Sequence, residues 1–312
     1  MRASRIPPID GVLLVDKPRG PTSHDVVAAA RRALGQREVG HAGTLDPMAT
    51  GVLVLLLGEA TKLSAHLSAD DKAYEAELAF GAETDTLDSD GEIVVRAPAG
   101  SATPTREDLE RVLSGMLGTI SQIPPVVSAI KVDGEAMHVR VRRGEVVVPE
   151  ARDVELREAV LTAVTEAPAG CSVSLVVSKG FYVRSLARDL ALALGTRGHL
   201  SALRRTRSGA FTLVGAFDGA SLIAAGRGDL EMKAVVREAV VGWSEAARWM
   251  PTTYVDAQSA RELRFGRPVA APADAAATCL VLDSTGSPVC VGAVIDGLLR
   301  VLRGICPSTP SC

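Results

Sequence analysis

The sequence has few aromatic residues, no closely spaced cysteine pair and no long apolar run. Aromatic residues make up 3% of the 312 residues, so each of the three tyrosines carries more information than usual. The five cysteines form no CxxC motif, which argues against structural zinc, and we expect no bound metal. No run approaches the roughly 18 apolar residues of a membrane span, and the N-terminus has no apolar signal core. We therefore expect a cytoplasmic protein with reduced thiols and no membrane partner.

The signatures of common cofactor-dependent enzymes are also missing. The chain contains no P-loop and no convincing Rossmann fingerprint, so we expect no cofactor. A formal net charge of −3 excludes a protein coated in basic surface. It does not exclude a nucleic-acid partner, because affinity for nucleic acid depends on a local positive stripe. The length is sufficient for a sizeable core, with one large domain and a smaller one.

Residues 40–62, GHAGTLDPMATGVLVLLLGEATK, are the most informative segment. Asp46 lies in a short turn in which Pro47 fixes its own φ, and the aliphatic run 52–57 predicts a buried strand. An Asp-Pro pair taken alone more often caps a turn. The whole string, however, closely resembles the catalytic motif of the TruB family of bacterial tRNA pseudouridine synthases. The resemblance implies that Asp46 is the essential catalytic residue.

Three further motifs resemble the same family in the same order. They are LLVDKPRG, with Lys17; DKAYEAEL, with Tyr74; and KGFYVRS, with Tyr182 and Arg184. The resemblance implies that Lys17 supports the catalytic loop, that Tyr74 stacks on the target base and serves in proton transfer, and that Tyr182 lies beside the base. It also implies that Arg184 pairs with Asp46. Without the resemblance, ordinary packed aromatics would be the favoured interpretation of the two tyrosines, and a surface residue at a helix start would fit Arg184 as well as a functional one.

Three other residues are predicted to contact the RNA substrate. The resemblance assigns His41 to the space left by a flipped base, since chemistry on a base in folded RNA requires taking it out of the stack. It places Leu203 in the wall of the uracil pocket. Lys131 is the last residue of the string SAIK, which resembles the family's SA(L/I)K element, and a phosphate contact and a solvated charge are equally compatible with it.

Positive charge is concentrated in two stretches. Arg140 and Arg143 lie in a polar, basic segment that we predict to be an inserted flap, at about residues 124–150. Residues 179–207 contain one Lys and six Arg against a single acid. Such a stripe would hold phosphates and make binding sensitive to salt, although charge runs are more often solvated faces.

Local patterns predict α+β secondary structure for the chain. We expect a helix at 26–34, capped by Thr22 or Ser23 and ended by Gly35. The other predicted helices are 60–67, 106–117, 185–194 and 257–265, and the predicted strands are 11–15, 52–57, 72–80, 154–164, 172–177, 200–211, 280–283, 289–295 and 299–303.

The resemblance implies the pseudouridine synthase fold, a mixed, mostly antiparallel sheet flanked by helices. We expect a catalytic domain at 1–248, which contains the flap, and a small β-rich PUA-like domain with a flexible tail at 249–312.

The function implied by the resemblance is isomerisation of uridine to pseudouridine at position 55, in the T-arm of tRNA. The N-glycosidic bond is cleaved, the base rotates and it is rejoined through C5. The T-arm stem-loop would be the partner of a monomeric enzyme, because no uncovered apolar seam stands out. Two alternatives remain open. One is a tRNA-folding chaperone or non-catalytic T-arm binder, and the other is a small-nucleotide enzyme such as a pseudouridine-phosphate lyase.

Overall fold

The computed structural model describes residues 8–68, 71–127, 131–132, 135–136, 143, 149–246 and 249–307. Its strands are β1 Gly11–Lys17, β2 Val39–His41, β3 Thr50–Leu57, β4 Lys72–Phe80, β5 Ala82–Thr84, β6 Ile93–Arg96, β7 Gly118–Gln122, β8 Lys131–Val132, β9 Glu135–Ala136, β10 Arg152–Glu166, β11 Ala169–Val177, β12 Gly198–Ser208, β13 Phe211–Thr212, β14 Phe217–Asp218, β15 Thr252–Val255, β16 Val269–Ala270, β17 Thr278–Asp283, β18 Pro288–Ile295 and β19 Leu298–Gly304. Its helices are α1 Ser23–Leu34, α2 Ser64–Leu67, α3 Arg106–Gly115, α4 Val183–Ala193, α5 Gly219–Gly226, α6 Leu230–Glu238, α7 Trp243–Ala246 and α8 Ala257–Arg264, with a 3-10 helix at Gly58–Leu63. Within these ranges, no helix has the length and apolar character to cross a membrane.

The chain forms two compact units. The first comprises residues 1–47, 51–69 and 207–312, and the second comprises residues 48–50 and 70–206. In the first unit, β1 lies between β14, to which it is parallel, and β3, to which it is antiparallel. The short strand β2 also pairs with β3. Residues 52–57 of β3 are fully buried, which confirms the strand predicted from the aliphatic run.

Helix α1 shows how local sequence sets the boundaries of an element in the first unit. The Thr22 side chain accepts a hydrogen bond from the Asp25 N–H, and the Asp25 carboxylate accepts one from the Thr22 N–H, which completes a capping box. Gly35 ends the helix in the left-handed conformation, at φ 68°. The predicted helix and both of its ends are therefore confirmed.

A second sheet of the first unit has the strand order β15-β17-β18-β19-β16. Its side chains Leu280, Leu282 and Val291 belong to the same buried cluster as Val12 of β1 and Val54 of β3. Because fully burying a large aliphatic side chain stabilises the folded chain by about 1.5–3 kcal/mol, this cluster contributes substantially to the stability of the unit. The predicted helix and three strands of the C-terminal region are confirmed.

The second unit contains the strand order β12-β4-β11-β10-β7. β4 pairs antiparallel with β11, β11 with β10, and β10 with β7. Along β4, Lys72, Tyr74, Ala76 and Leu78 are buried and alternate with more exposed residues, as the sequence pattern predicted. Helix α3, within the predicted helix 106–117, is capped by Thr105.

Two predicted elements differ from the structure. The predicted helix 60–67 is a 3-10 helix up to Leu63, followed by a single α-helical turn. The predicted strand 200–211 ends at Ser208. The chain turns there, so that Phe211 and Thr212 pair antiparallel with Ser208 and Arg207. The α+β class with mostly antiparallel sheets and a β-rich C-terminal region is confirmed. The division at residue 248 and the PUA-like character of the last region stay predictions.

Candidate active site

The loop that carries Asp46 joins β2 to β3, and Asp46 itself is half-buried. Leu45, the preceding residue, is tied to helix α1 in both directions. The Ser23 hydroxyl donates to the Leu45 carbonyl (3.0 Å) and accepts from the Leu45 N–H (2.9 Å). Because Ser23 lies in the first turn of α1, the capped start of that helix restrains the backbone beside the Asp46 carboxylate.

Lys17 restrains the other side of the same loop. Its side chain is 0% exposed at the end of β1. Its ammonium group donates to the carbonyls of Pro18 (2.9 Å), Pro21 (2.8 Å) and Pro47 (3.2 Å). A buried ammonium group needs such partners to offset its desolvation. The carbonyl of Pro47, the residue after Asp46, also accepts from the Gly20 N–H (2.9 Å), so two loops are joined at this point.

His41 is the last residue of β2 and is half-buried. Its carbonyl accepts a hydrogen bond from the Ser64 hydroxyl (3.2 Å). Its imidazole ring meets the ring of His24 edge to face, with the centroids 5.4 Å apart and the planes at 88°. The first unit thus brings Lys17, His41 and Asp46 to one short stretch of backbone around the β2–β3 loop.

Arg184, in the first turn of α4, is 4% exposed. Its guanidinium donates to the carbonyls of Thr86 (2.8 Å) and Val127 (3.1 Å), and lies 3.7 Å from the Asp88 carboxylate. The alternative of a surface residue at a helix start is therefore wrong for Arg184. A buried cation favours the ionised form of a nearby carboxylate, and the pairing of Arg184 with Asp46 stays a prediction.

Asp88 is a candidate site residue that the sequence analysis missed. It lies in the acidic stretch 84–91, TDTLDSDG, and its side chain is buried. Leu87 has a φ of 62°, which is rare for a residue with a side chain. The Asp88 carboxylate also accepts from the Thr86 hydroxyl (2.6 Å) and the Asp90 N–H (3.1 Å), so the turn is organised around it. The only available signal was the high density of acidic residues in this stretch, and that density does not show which of them is buried.

The two predicted base-contacting tyrosines and Leu203 also lie in the second unit. Tyr74 is buried on β4, opposite Leu175 of β11. Leu203 is buried on β12, the strand next to β4 in the sheet. Tyr182 is half-buried and precedes α4, where its N–H donates to the Gln122 side-chain oxygen (2.7 Å). Tyr182 and Arg184 thus share one helix start.

The predicted basic stripe needs correction. Of its six arginines, Arg184 and Arg205 point into the protein, and Arg205 is 1% exposed. Neither can hold a phosphate at the surface in this conformation. Lys179 is exposed and Arg188 and Arg197 are half-buried, so a shorter set of cations remains for RNA. Burial of a guanidinium requires partners from other elements, which charge counting along the sequence does not reveal.

The predicted flap is described only in part. Lys131 lies in β8, whose backbone pairs with Ala136 of β9. Arg143 is exposed, and Arg140 lies outside the described residues. Among the residues that are described, no group of three or more His, Cys, Asp or Glu is arranged to hold a metal ion.

Two family models match the chain. The TruB family pseudouridylate synthase N-terminal domain matches residues 31–183, and the tRNA pseudouridylate synthase B C-terminal domain matches residues 184–226. Among curated relatives, tRNA pseudouridine synthase B of Nocardia farcinica is 44% identical over 90% of this chain and 89% of the relative. The protein with the same name from an Arthrobacter species is 43% identical over 86% of this chain and 84% of the relative.

Solved structures with a similar fold are known. A chain in a Cbf5-Nop10-Gar1 complex is similar with a TM-score of 0.72 and 23% identity, over 96% of this chain and 85% of that one. A chain in an H/ACA RNP bound to a substrate RNA containing 2'-deoxyuridine has a TM-score of 0.70 and 22% identity, over 96% of this chain and 86% of that one. Identity at this level speaks to the fold alone, and it confirms the predicted pseudouridine synthase fold.

Proposed function

Because the chain belongs to the TruB family of pseudouridylate synthases and is an isomerase that forms pseudouridine in tRNA, we propose that its target is the T-arm uridine at position 55 and that Asp46 is its catalytic group. The observation that carries the assignment of Asp46 is the restraint of its loop. The residues on both sides of Asp46 are held, Leu45 by Ser23 and Pro47 by the buried Lys17. Such a preorganised loop is what a reactive carboxylate requires.

The reaction breaks the bond between N1 of the base and C1' of the ribose and forms a bond between C5 and C1'. A proton leaves C5 and a proton is gained at N1, so no oxidant or group donor is needed. A carboxylate serves this chemistry either as a nucleophile or as the charge partner of a sugar-centred intermediate. We assign one of these two roles to Asp46.

Arg184 is the proposed cationic partner of Asp46. A guanidinium keeps a nearby carboxylate ionised, because the opposite charge favours the charged form. The two backbone carbonyls and the Asp88 carboxylate that contact Arg184 hold the guanidinium in one orientation. Asp88 therefore acts through Arg184 as a positioning residue.

Tyr74 is the proposed stacking residue, and its hydroxyl is proposed to serve in the proton transfer that accompanies rejoining at C5. Its ring lies on a strand whose alternating side chains are buried, which limits the movement of the ring. Tyr182 and Leu203 would complete the wall around the base, and His41 would fill the gap left in the RNA stack. A flat side chain in that gap offsets part of the few kcal/mol that unstacking costs.

The proposed substrate is the T-arm stem-loop of tRNA, bound by the remaining cations of the 179–207 stripe and by Lys131, Arg140 and Arg143 of the flap. Phosphate contacts of this kind give an affinity that falls as salt rises. A monomer located in the cytoplasm, without metal or cofactor, remains the expected state of the enzyme.

Tritium release from a T-arm stem-loop that carries 5-tritiated uridine tests the proposal, because release requires substitution at C5. The parent protein should release tritium. Asp46→Asn should release none while binding the stem-loop within about tenfold of the parent, since its role is chemical. Asp108→Asn, which neutralises a carboxylate on α3 whose side chain is 44% exposed, is the matched control and should behave as the parent does.

The outcomes separate the alternatives. Absence of release by the parent, with stem-loop binding intact, would support a chaperone or binder. Turnover of the free nucleotide that is insensitive to salt would support a small-nucleotide enzyme. Equal release from a stem-loop with cytidine at position 55 and tritium in its other uridines would refute the assignment of that position.

A further inference from the structure

The start of helix α4 lacks the usual capping interactions. Its N-cap residue, Tyr182, makes no side-chain capping hydrogen bond, and the first turn contains no acidic residue. The first turn instead contains Arg184, whose positive charge is unfavourable at the positive end of a helix dipole. Both side chains belong to the proposed site, so something else must hold this helix start in place.

The end of strand β7 supplies the missing restraint. The side-chain oxygen of Gln122 accepts from the Tyr182 N–H (2.7 Å). The carbonyl of Ile123 accepts from the Ser185 hydroxyl (2.8 Å) and from the Arg188 guanidinium (3.0 Å). Gln122 and Ile123, at the end of β7, therefore take the place of a local cap for α4.

The other half of the Gln122 amide is unsatisfied. Gln122 is 1% exposed, and its side-chain nitrogen is buried without a hydrogen-bond partner among the described residues. The amide orientation is not arbitrary, because exchanging the oxygen and nitrogen would point an N–H group at the Tyr182 N–H. A buried donor left without a partner destabilises the folded state, and such groups are rare. The unpartnered nitrogen of Gln122 therefore lowers the stability of the folded state, and an apolar side chain of similar shape would not carry this penalty.

We propose that Gln122 is a positioning residue for the reaction: its side-chain oxygen anchors the Tyr182 N–H and so fixes the backbone from which Tyr182 and Arg184 project. The amide oxygen of Gln122 supplies this acceptor without adding a charge to the buried helix start. The unpartnered nitrogen is the consequence of using an amide for this purpose. This inference rests on the roles proposed for Tyr182 and Arg184.

The test replaces Gln122 with methionine, which has similar length and no hydrogen-bonding amide. We expect the thermal midpoint of unfolding to change little, because the unpartnered donor of Gln122 is removed while the half-buried Tyr182 N–H loses its acceptor. We expect kcat for the tritiated stem-loop to fall about ten- to hundredfold, since a misplacement of about 1 Å can cost up to about a hundredfold. KM should stay within about threefold, because most of the RNA affinity comes from phosphate contacts.

Hydrogen exchange at the Tyr182 N–H measures the anchor without reference to catalysis. Exchange should be at least about tenfold faster in Gln122→Met than in the parent. Gln122→Glu keeps an oxygen acceptor and should restore slow exchange. Ser185→Ala is the matched control, because it removes another hydrogen bond between the same two elements and leaves the Tyr182 N–H bonded, so its kcat should stay within about threefold of the parent value.

Three results would overturn the proposal. They are unchanged exchange in Gln122→Met, an unchanged kcat despite faster exchange, and an equal loss of kcat in Gln122→Met and Ser185→Ala. Exchange as fast in Gln122→Glu as in the methionine variant would refute the acceptor role. An inactive parent protein would instead refute the proposed function, while the exchange rates would still decide whether Gln122 anchors α4.

Discussion

Replacing Lys17 with methionine removes a fully buried ammonium group and leaves a side chain of similar length. In the parent protein this ammonium donates to three backbone carbonyls, one of which belongs to Pro47, the residue after Asp46. The variant separates two roles of Lys17, namely stabilising the fold and holding the Asp46 loop. We expect a large effect on stability and a smaller one on catalysis.

The expected magnitude follows from the three acceptors. Hydrogen bonds from a charged donor contribute about 1.5–3 kcal/mol each, but desolvation of the ammonium group cancels much of that sum. After the substitution, the Pro47 carbonyl keeps the Gly20 N–H, whereas the carbonyls of Pro18 and Pro21 lose their donor. Each unpaired carbonyl costs about 1–3 kcal/mol, and both prolines are only half-buried. We therefore expect the free energy of unfolding to fall by about 2–4 kcal/mol.

Denaturant titration followed by circular dichroism measures this loss, and tritium release below the unfolding midpoint measures kcat. We expect kcat to fall by less than about tenfold, because the Ser23–Leu45 hydrogen bonds still restrain the loop. Lys62→Met is the control, since Lys62 is about one-quarter exposed and donates to the Gly304 carbonyl (2.9 Å). A loss below about 1 kcal/mol for Lys17→Met, or one no larger than that of Lys62→Met, would refute the reasoning.

Two further predictions concern buried groups of the second unit and the thiols. Asp88→Asn removes the carboxylate 3.7 Å from the Arg184 guanidinium, and we expect the free energy of unfolding to fall by about 2–4 kcal/mol because a buried cation loses its partner. The kcat should fall at least about tenfold, and a kcat equal to that of the parent would remove Asp88 from the site. In maleimide labelling at about pH 7 followed by peptide mass spectrometry, the exposed Cys306 should react. Cys171 and Cys290 should not, because burial raises the pKa of each thiol to about 12, and rapid modification of either would contradict this.

Several elements could be predicted because their determinants are adjacent in the chain. The limits of α1 follow from Thr22, Asp25 and Gly35, and strand β4 follows from alternation over nine residues. The 3-10 helix at Gly58–Leu63 was missed because the apolar pattern of a 3-10 helix resembles that of an α-helix over one or two turns. The turn after Ser208 was missed because an apolar phenylalanine follows it and extends the strand pattern.

The residues of the candidate site likewise divide into those that local sequence identified and those that it did not. Asp46 and the motifs around Tyr74 and Arg184 were identified from contiguous strings, and the family comparisons confirm the resemblance that those strings carry. The part played by Asp88 was not identified. Its carboxylate lies 3.7 Å from a guanidinium 96 positions later in the chain, and no local pattern connects the two residues.

The amino-acid sequence by itself predicted the family and many of the helices and strands, and it singled out Asp46 as the catalytic candidate. Only the tertiary structure decided which charges are buried. Lys17, Arg184 and Arg205 are all more than nine-tenths buried, although each is preceded or followed by polar or charged residues. The physical reason is that a charge leaves water only where carbonyls and carboxylates replace its hydration, and some of these come from distant segments, such as Pro47 for Lys17 and Thr86 for Arg184.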